Sequence, residues 1–198
     1  MDFENLKKAV LQMLSQELRP TLYYHDVHHT LDVYYSAERL AKLEGVSADD
    51  ELLIKTSALL HDTGMVHTYE DHENASCEIA RELLPGYGYS EDYIRQVCRM
   101  IYTTQLPQKA VTLSEKILCD ADLDYLGRED FFMISHRLKL EWNLQKVRTT
   151  TLKEWYELQL RFLEAHIYFT PSAKATRSEG KLKNLNQIKE ILCFNNKI

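Results

Sequence analysis

His25 and His29 stand four residues apart, the spacing that puts two side chains on one face of a helix. Further along, His61 and Asp62 are adjacent at the end of the apolar run ELLIKTSALL, where a charged pair has no packing reason to sit. Asp120, Asp122 and Asp124 follow the apolar pair Ile117-Leu118. Imidazole nitrogens combined with carboxylate oxygens suit a hard or borderline divalent cation such as Zn, Mn, Fe or Mg, and not a soft thiolate site. Cys77, Cys98, Cys119 and Cys193 form no CxxC pair, so neither a zinc knuckle nor a dithiol redox site is indicated.

Helices must position these groups. With 6 Gly and 4 Pro in 198 residues, the chain has too little punctuation for many short strands and turns. Apolar residues at Phe3, Leu6, Val10, Leu11 and Leu14 predict a helix over 3–17, and a second is expected over 25–44, stopped by Gly45. Ser47 reads as the N-cap of a third, the most apolar of all, which finishes in His61-Asp62-Thr63-Gly64. Further helices are expected over 72–84, 91–103, 112–123, 129–145, 151–167 and 181–193, and the small polar stretch 170–180 is expected to be a loop. The fold class read from this pattern is all-α, a single-domain bundle (1–198) of eight or nine helices.

Charge narrows the partners. A formal net charge of -6, from 24 Lys+Arg against 30 Asp+Glu, argues against long nucleic acid, which needs a concentrated basic face. A small phosphorylated ligand stays open, because a bound cation reverses the field of an acidic pocket. No apolar run approaches the ~20 residues of a membrane helix, and the first residues do not read as a signal peptide. A cytoplasmic protein with free thiols is expected. A homodimer is compatible with the sequence.

YHDVHHTLDV (24–33), LLHDTG (59–64) and ILCDADLDYLG (117–127) together resemble, in order and spacing, the three motifs of the HD superfamily of metal-dependent phosphohydrolases. The resemblance covers residues 22–127, leaving 128–198 as C-terminal helices that complete the bundle and pocket. It implies His29, His61, Asp62 and Asp122 as metal ligands. Asp122 is preferred to Asp120 on the family's Ala-Asp pattern, here Ala121-Asp122; Asp120 and Asp124 lie about 200° around a helix from it and face away. His28 competes with His29 but fails the four-residue match with His25. Tyr-His-Asp-x-x-His is also similar to the Tyr-His-Asn-x-x-His box of cyclic-nucleotide phosphodiesterases, which implies His25 as the acid that protonates the leaving oxygen; Asp26 replaces the usual Asn.

Two-metal relatives resemble one another in adding His ligands between the doublet and the last Asp. Here that interval holds only His67 and His72, and the HD-GYP motif is absent, so one tight site for Mn, Mg, Fe, Zn, Co or Ni is expected. His72 and Glu73 are the candidates for a supporting shell or a second, weaker metal. The function implied is hydrolysis of a phosphomonoester or phosphodiester, a nucleotide foremost. The metal lowers the pKa of a water, and His25 and Asp62 are the catalytic candidates. The alternatives are a non-catalytic nucleotide-binding domain and an HD-type iron oxygenase. Lys116, Arg128, Lys174 and Arg177 are the candidates for gripping phosphate, the last two from a loop able to close over the pocket. His67, His136 and His166 are read as ordinary core or surface residues.

Overall fold

A computed structural model describes residues 1–194. Among them are nine α-helices and no strand, as the residue pattern predicts. The first six run α1 (Phe3–Glu17), α2 (Val27–Glu44), α3 (Ala48–Leu60), α4 (His72–Leu83), α5 (Glu91–Thr104) and α6 (Leu113–Asp122). Caps explain where several of them start. Asp26 accepts the His29 backbone N–H at 2.9 Å, Ser47 that of Asp50 at 3.1 Å, and Thr112 forms a reciprocal capping box with Glu115. The cap at Asp26 also corrects an expectation: α2 begins at Val27, so His25 precedes the helix instead of sharing its face with His29.

The second half of α3 is buried nearly all round, with Ile54, Ala58, Leu59 and Leu60 fully enclosed between α2, α5 and α6. Such a helix is central by necessity, and it delivers His61 and Asp62 to the middle of the bundle. After them the chain tightens into a 3-10 turn, Thr63–Val66, packed on α4. A Cβ on Gly64 would lie 2.0 Å from the His72 carbonyl oxygen, so only glycine lets the start of α4 approach the end of α3 this closely.

The remaining helices are α7 (Phe131–Leu144), α8 (Leu152–Ala165) and α9 (Pro171–Phe194). The expected loop at 170–180 is the first half of α9. Its small polar residues suggested a loop, but they are compatible with a helix, and Pro171 sits in the first helical turn, where its missing N–H costs nothing. The Thr170 hydroxyl accepts the Ala173 N–H at 3.2 Å, while the Asp120 carboxylate takes the Phe169 and Thr170 N–H groups, each at 2.7 Å. Gly180 is where α9 crosses the 3-10 turn Asp124–Gly127. A Cβ there would meet the Gly127 carbonyl oxygen at 2.0 Å. No helix among the described residues is long and apolar enough to cross a membrane.

Candidate metal centre

Three elements aim four side chains at one point. His29 comes from the first turn of α2, His61 and Asp62 from the end of α3, and Asp122 from the last turn of α6. One ligand atom each from His29, His61 and Asp122 lie within 4.8 Å of one another. Asp62 borders them: its Oδ2 is 3.1 Å from His61 Nε2 and 3.3 Å from His29 Nε2. The two Nε2 atoms are 3.4 Å apart. His61 is fixed from behind by its Nδ1, 2.8 Å from the Ala58 carbonyl oxygen, which makes Nδ1 the donor and leaves Nε2 a lone pair for the centre.

Two converging imidazole lone pairs beside two carboxylates are mutually repulsive unless a cation sits among them. The electrostatics show this. Burial pushes the His29 imidazole down, but Asp122 and Asp62 outweigh it and raise it to about 10. His61 is raised against the same burial, chiefly by Asp62. Burial pushes Asp62 up, yet His61, His29 and His72 hold its carboxyl well below the usual range. Asp62 Oδ2 is nevertheless buried without a hydrogen-bond partner. An orphaned carboxylate oxygen facing two imidazoles fits a divalent metal, and the donor set of nitrogen and oxygen is one that Zn, Mn, Fe or Mg accepts.

His25 lies beside this cluster, its ring centroid 5.9 Å from that of His29. The spacing expected from a shared helix face is achieved by other means. Glu141 on α7, fully buried, accepts the backbone N–H groups of Tyr24 and His25 at 2.8 and 3.0 Å and pairs with His25 Nδ1. Tyr69 donates its hydroxyl to the same carboxylate at 2.9 Å. Burial pushes Glu141 up, but the bonds from His25 and the backbone prevail and keep it below its ordinary value. His72, at the head of α4, places Nε2 3.3 Å from Asp62 Oδ1, and Glu73 is buried next to it. Asp62 raises His72 to about 9 against the opposing effect of burial. His28 points outward and is exposed, in contrast to His29.

A cavity of about 530 Å³ opens at the centre, lined by His25, Asp62, His72, Glu73 and Asp122 at one end. Leu138, Trp142, Leu158, Gln159, Arg161 and Phe162 line its walls from α7 and α8. Lys116, Arg128, Lys174 and Arg177 are not among its lining. Arg177 is held on α9 by Asp124 at 2.7 and 2.8 Å, and Arg128 by Asp32 and Asp130 at 2.6 Å each. Lys174 is exposed on α9, so no loop there carries either residue over the pocket. Asp120 and Asp124 do face away from the metal ligands, as expected, and serve α9 instead. Glu141, Arg161 and Gln159 escaped the sequence reading, since nothing local ties them to residues more than a hundred positions earlier. The one available signal was a Glu at a core position of α7.

Comparison with known proteins agrees with this geometry. The HD domain family pattern matches residues 26–124, half of the chain. An uncharacterized protein of Clostridium beijerinckii is 38% identical over 73 residues, which is 35% of this chain and 46% of that relative's length. A predicted HD superfamily hydrolase from an uncultured Thermotogales bacterium shares the fold with a TM-score of 0.63 at 21% identity, over 94% of this chain and 91% of its own. The Lin1889 protein of Listeria innocua has a TM-score of 0.65 at 21% identity, over 96% of each chain. Bacillus subtilis YpgQ, solved in complex with ADP, has 0.65 at 16% identity, over 96% and 95%. With the motif residues gathered at one centre and the family pattern spanning all three motifs, the chain belongs to the HD domain family.

Proposed function

We propose that this chain is a metal-dependent hydrolase of a phosphate ester, with nucleotides as the substrate class. The observation that carries the reading is the convergence of His29, His61 and Asp122 around the unpaired Asp62 oxygen, with His25 held beside them by Glu141. His29, His61, Asp62 and Asp122 hold the divalent cation; when bound, it supplies an acidified water and positive charge for the phosphoryl oxygens. His72, on the outer oxygen of Asp62, orients that carboxylate, which supports one tight site.

His25 is the proton donor to the leaving oxygen. Its Nδ1 is committed to Glu141, so the proton it gives comes from Nε2 on the cavity side. The Glu141 carboxylate holds the His25 ring so that Nε2 is the nitrogen left for the cavity. Arg161 lines the cavity and carries no acid partner among the described residues, so it is free to meet a phosphoryl group. Two features support a nucleotide. The apolar wall around Trp142 and Phe162 suits a flat ring, and Gln159, 6% exposed, leaves its Oε1 buried without a hydrogen-bond partner. The ADP bound to the similarly folded YpgQ points the same way.

The test is metal analysis of the purified protein, followed by phosphate release from a nucleotide and phosphoester panel with the metal it prefers. His61→Ala and Asp62→Ala are expected to lose the metal and to reduce turnover by roughly 10³-fold or more. Undiminished hydrolysis by both variants would sink the hydrolase reading. Tight nucleotide binding with no product would mark a binding domain instead.

A further inference from the structure

The spacing of the cysteines argues against a local dithiol, yet the fold builds one from distant residues. Cys77 on α4 and Cys98 on α5 are 21 positions apart and face each other where the two helices pack. The contact is reciprocal. Cys77 Sγ lies 3.5 Å from the Cys98 carbonyl oxygen, and Cys98 Sγ lies 3.7 Å from the Cys77 carbonyl oxygen.

Their surroundings differ. Cys77 is fully enclosed, whereas Cys98, 4% exposed, forms part of the wall of a surface groove of about 750 Å³ that α5 shares with Arg81 of α4. Arg81, Arg95, Arg99 and Lys109 line the same groove with Glu91; Arg95 and Arg99 are paired with Glu91, Asp92 and Glu115, which leaves Arg81 and Lys109 as its remaining cations. A guanidinium near a thiol favours thiolate. Cys77, in contact with it, and Arg81 lower the Cys98 thiol against burial, while Cys77 is pushed up. The sulfur bordering the groove is the one an oxidant meets first and the enclosed sulfur lies behind it, the arrangement of an attacking and a resolving cysteine.

We propose that Cys98 is a site of oxidation by hydroperoxides and that Cys77 resolves it to a Cys77–Cys98 disulfide. The Cys98 thiolate attacks a peroxide oxygen, the O–O bond breaks, and a sulfenic acid and hydroxide form. The Cys77 sulfur then attacks the Cys98 sulfur. An S–S bond forms, the S–O bond breaks, and the Cys77 proton leaves with the departing hydroxide as water. Two thiols lose two electrons and two protons, and hydrogen peroxide is reduced to two waters. The bond ties α5 to α4, whose first turn carries His72 and Glu73 of the metal centre.

The experiment treats the intact protein with hydrogen peroxide, blocks remaining thiols with N-ethylmaleimide, and maps the unreduced digest by mass spectrometry. The expected product joins the Cys77 and Cys98 peptides, lighter than their sum by two hydrogens, and dithiothreitol reverses it. In Cys77→Ser the sulfenic acid has no resolving partner, so dimedone labels Cys98. In Cys98→Ser, Cys77 stays reduced. The exposed Cys193 provides the internal comparison. Oxidation confined to Cys193, or oxidation of Cys98 without the cross-linked peptide in the unsubstituted protein, overturns the proposal. Cys77→Ala and Cys98→Ala, which remove the thiols without adding a buried hydroxyl, repeat the test should either serine variant unfold.

Discussion

Glu141 shows how much at the residue scale depends on one buried carboxylate. It accepts two backbone N–H groups, pairs with the His25 ring and receives the Tyr69 hydroxyl, all without exposure to solvent. A carboxylate so placed fixes which ring nitrogen of His25 faces the cavity. Glu141→Gln keeps the shape and removes the charge. It is expected to lower kcat roughly 10–100-fold while metal stoichiometry and KM stay near their original values. Loss of metal in that variant, or an unchanged kcat, would show that Glu141 does not act through His25. His29, His61, Asp62 and Asp122 were legible because each lies inside a short motif whose spacing survives translation into structure. Glu141 was not, because its partners lie 116 and 117 positions away.

Helix starts were legible at Ser47, read from the sequence as an N-cap, and near Thr112, where a helix was expected to begin. The start of α9 was missed although Thr170 caps it locally, because what fixes the segment there is Asp120 of α6, which takes the Phe169 and Thr170 N–H groups just before the helix. The crossing of α9 over the turn Asp124–Gly127 makes a sharp claim. Gly180→Ala forces a Cβ to within 2.0 Å of a backbone oxygen that cannot rotate away. We expect about 2–3 kcal/mol of destabilisation by urea titration, although Ala is the better helix former. A variant as stable as the original would mean that α9 does not sit this close. The two carboxylates flanking Asp122 thus fasten the C-terminal helix to the segment that carries Asp122.

The response of the whole molecule to acid turns on a residue that the sequence offered no reason to single out. His166 is half-buried with both ring nitrogens enclosed and unpartnered, and burial, aided by Lys181, lowers it to about 4. Its folded value lies below the ordinary unfolded value near 6.5, so unfolding takes up a proton between those two limits. Stability from the neutral ring is therefore complete above the unfolded value and is lost as pH falls toward about 4. Between pH 7 and 4.5 the loss from this one residue is about 2–3 kcal/mol. His166→Phe should flatten that part of the stability profile by the same amount. An identical profile in the variant would assign the acid sensitivity to other groups.

By itself the sequence determined the all-α class, the course of most helices and the motif residues that converge at the candidate centre. Those features are written in local periods and short motifs, which a helix converts directly into faces and ends. Tertiary structure alone decided that Glu141 sets His25, that Arg161 and not Arg177 reaches the cavity, and that Cys77 meets Cys98. Each of these joins residues far apart in the chain, and such contacts follow from how helices cross, which no local pattern encodes. The candidate centre is where the two kinds of information meet: its converging His and Asp side chains lie in local motifs, and the His25–Glu141 pair and the cavity walls beside them come from the packing around it.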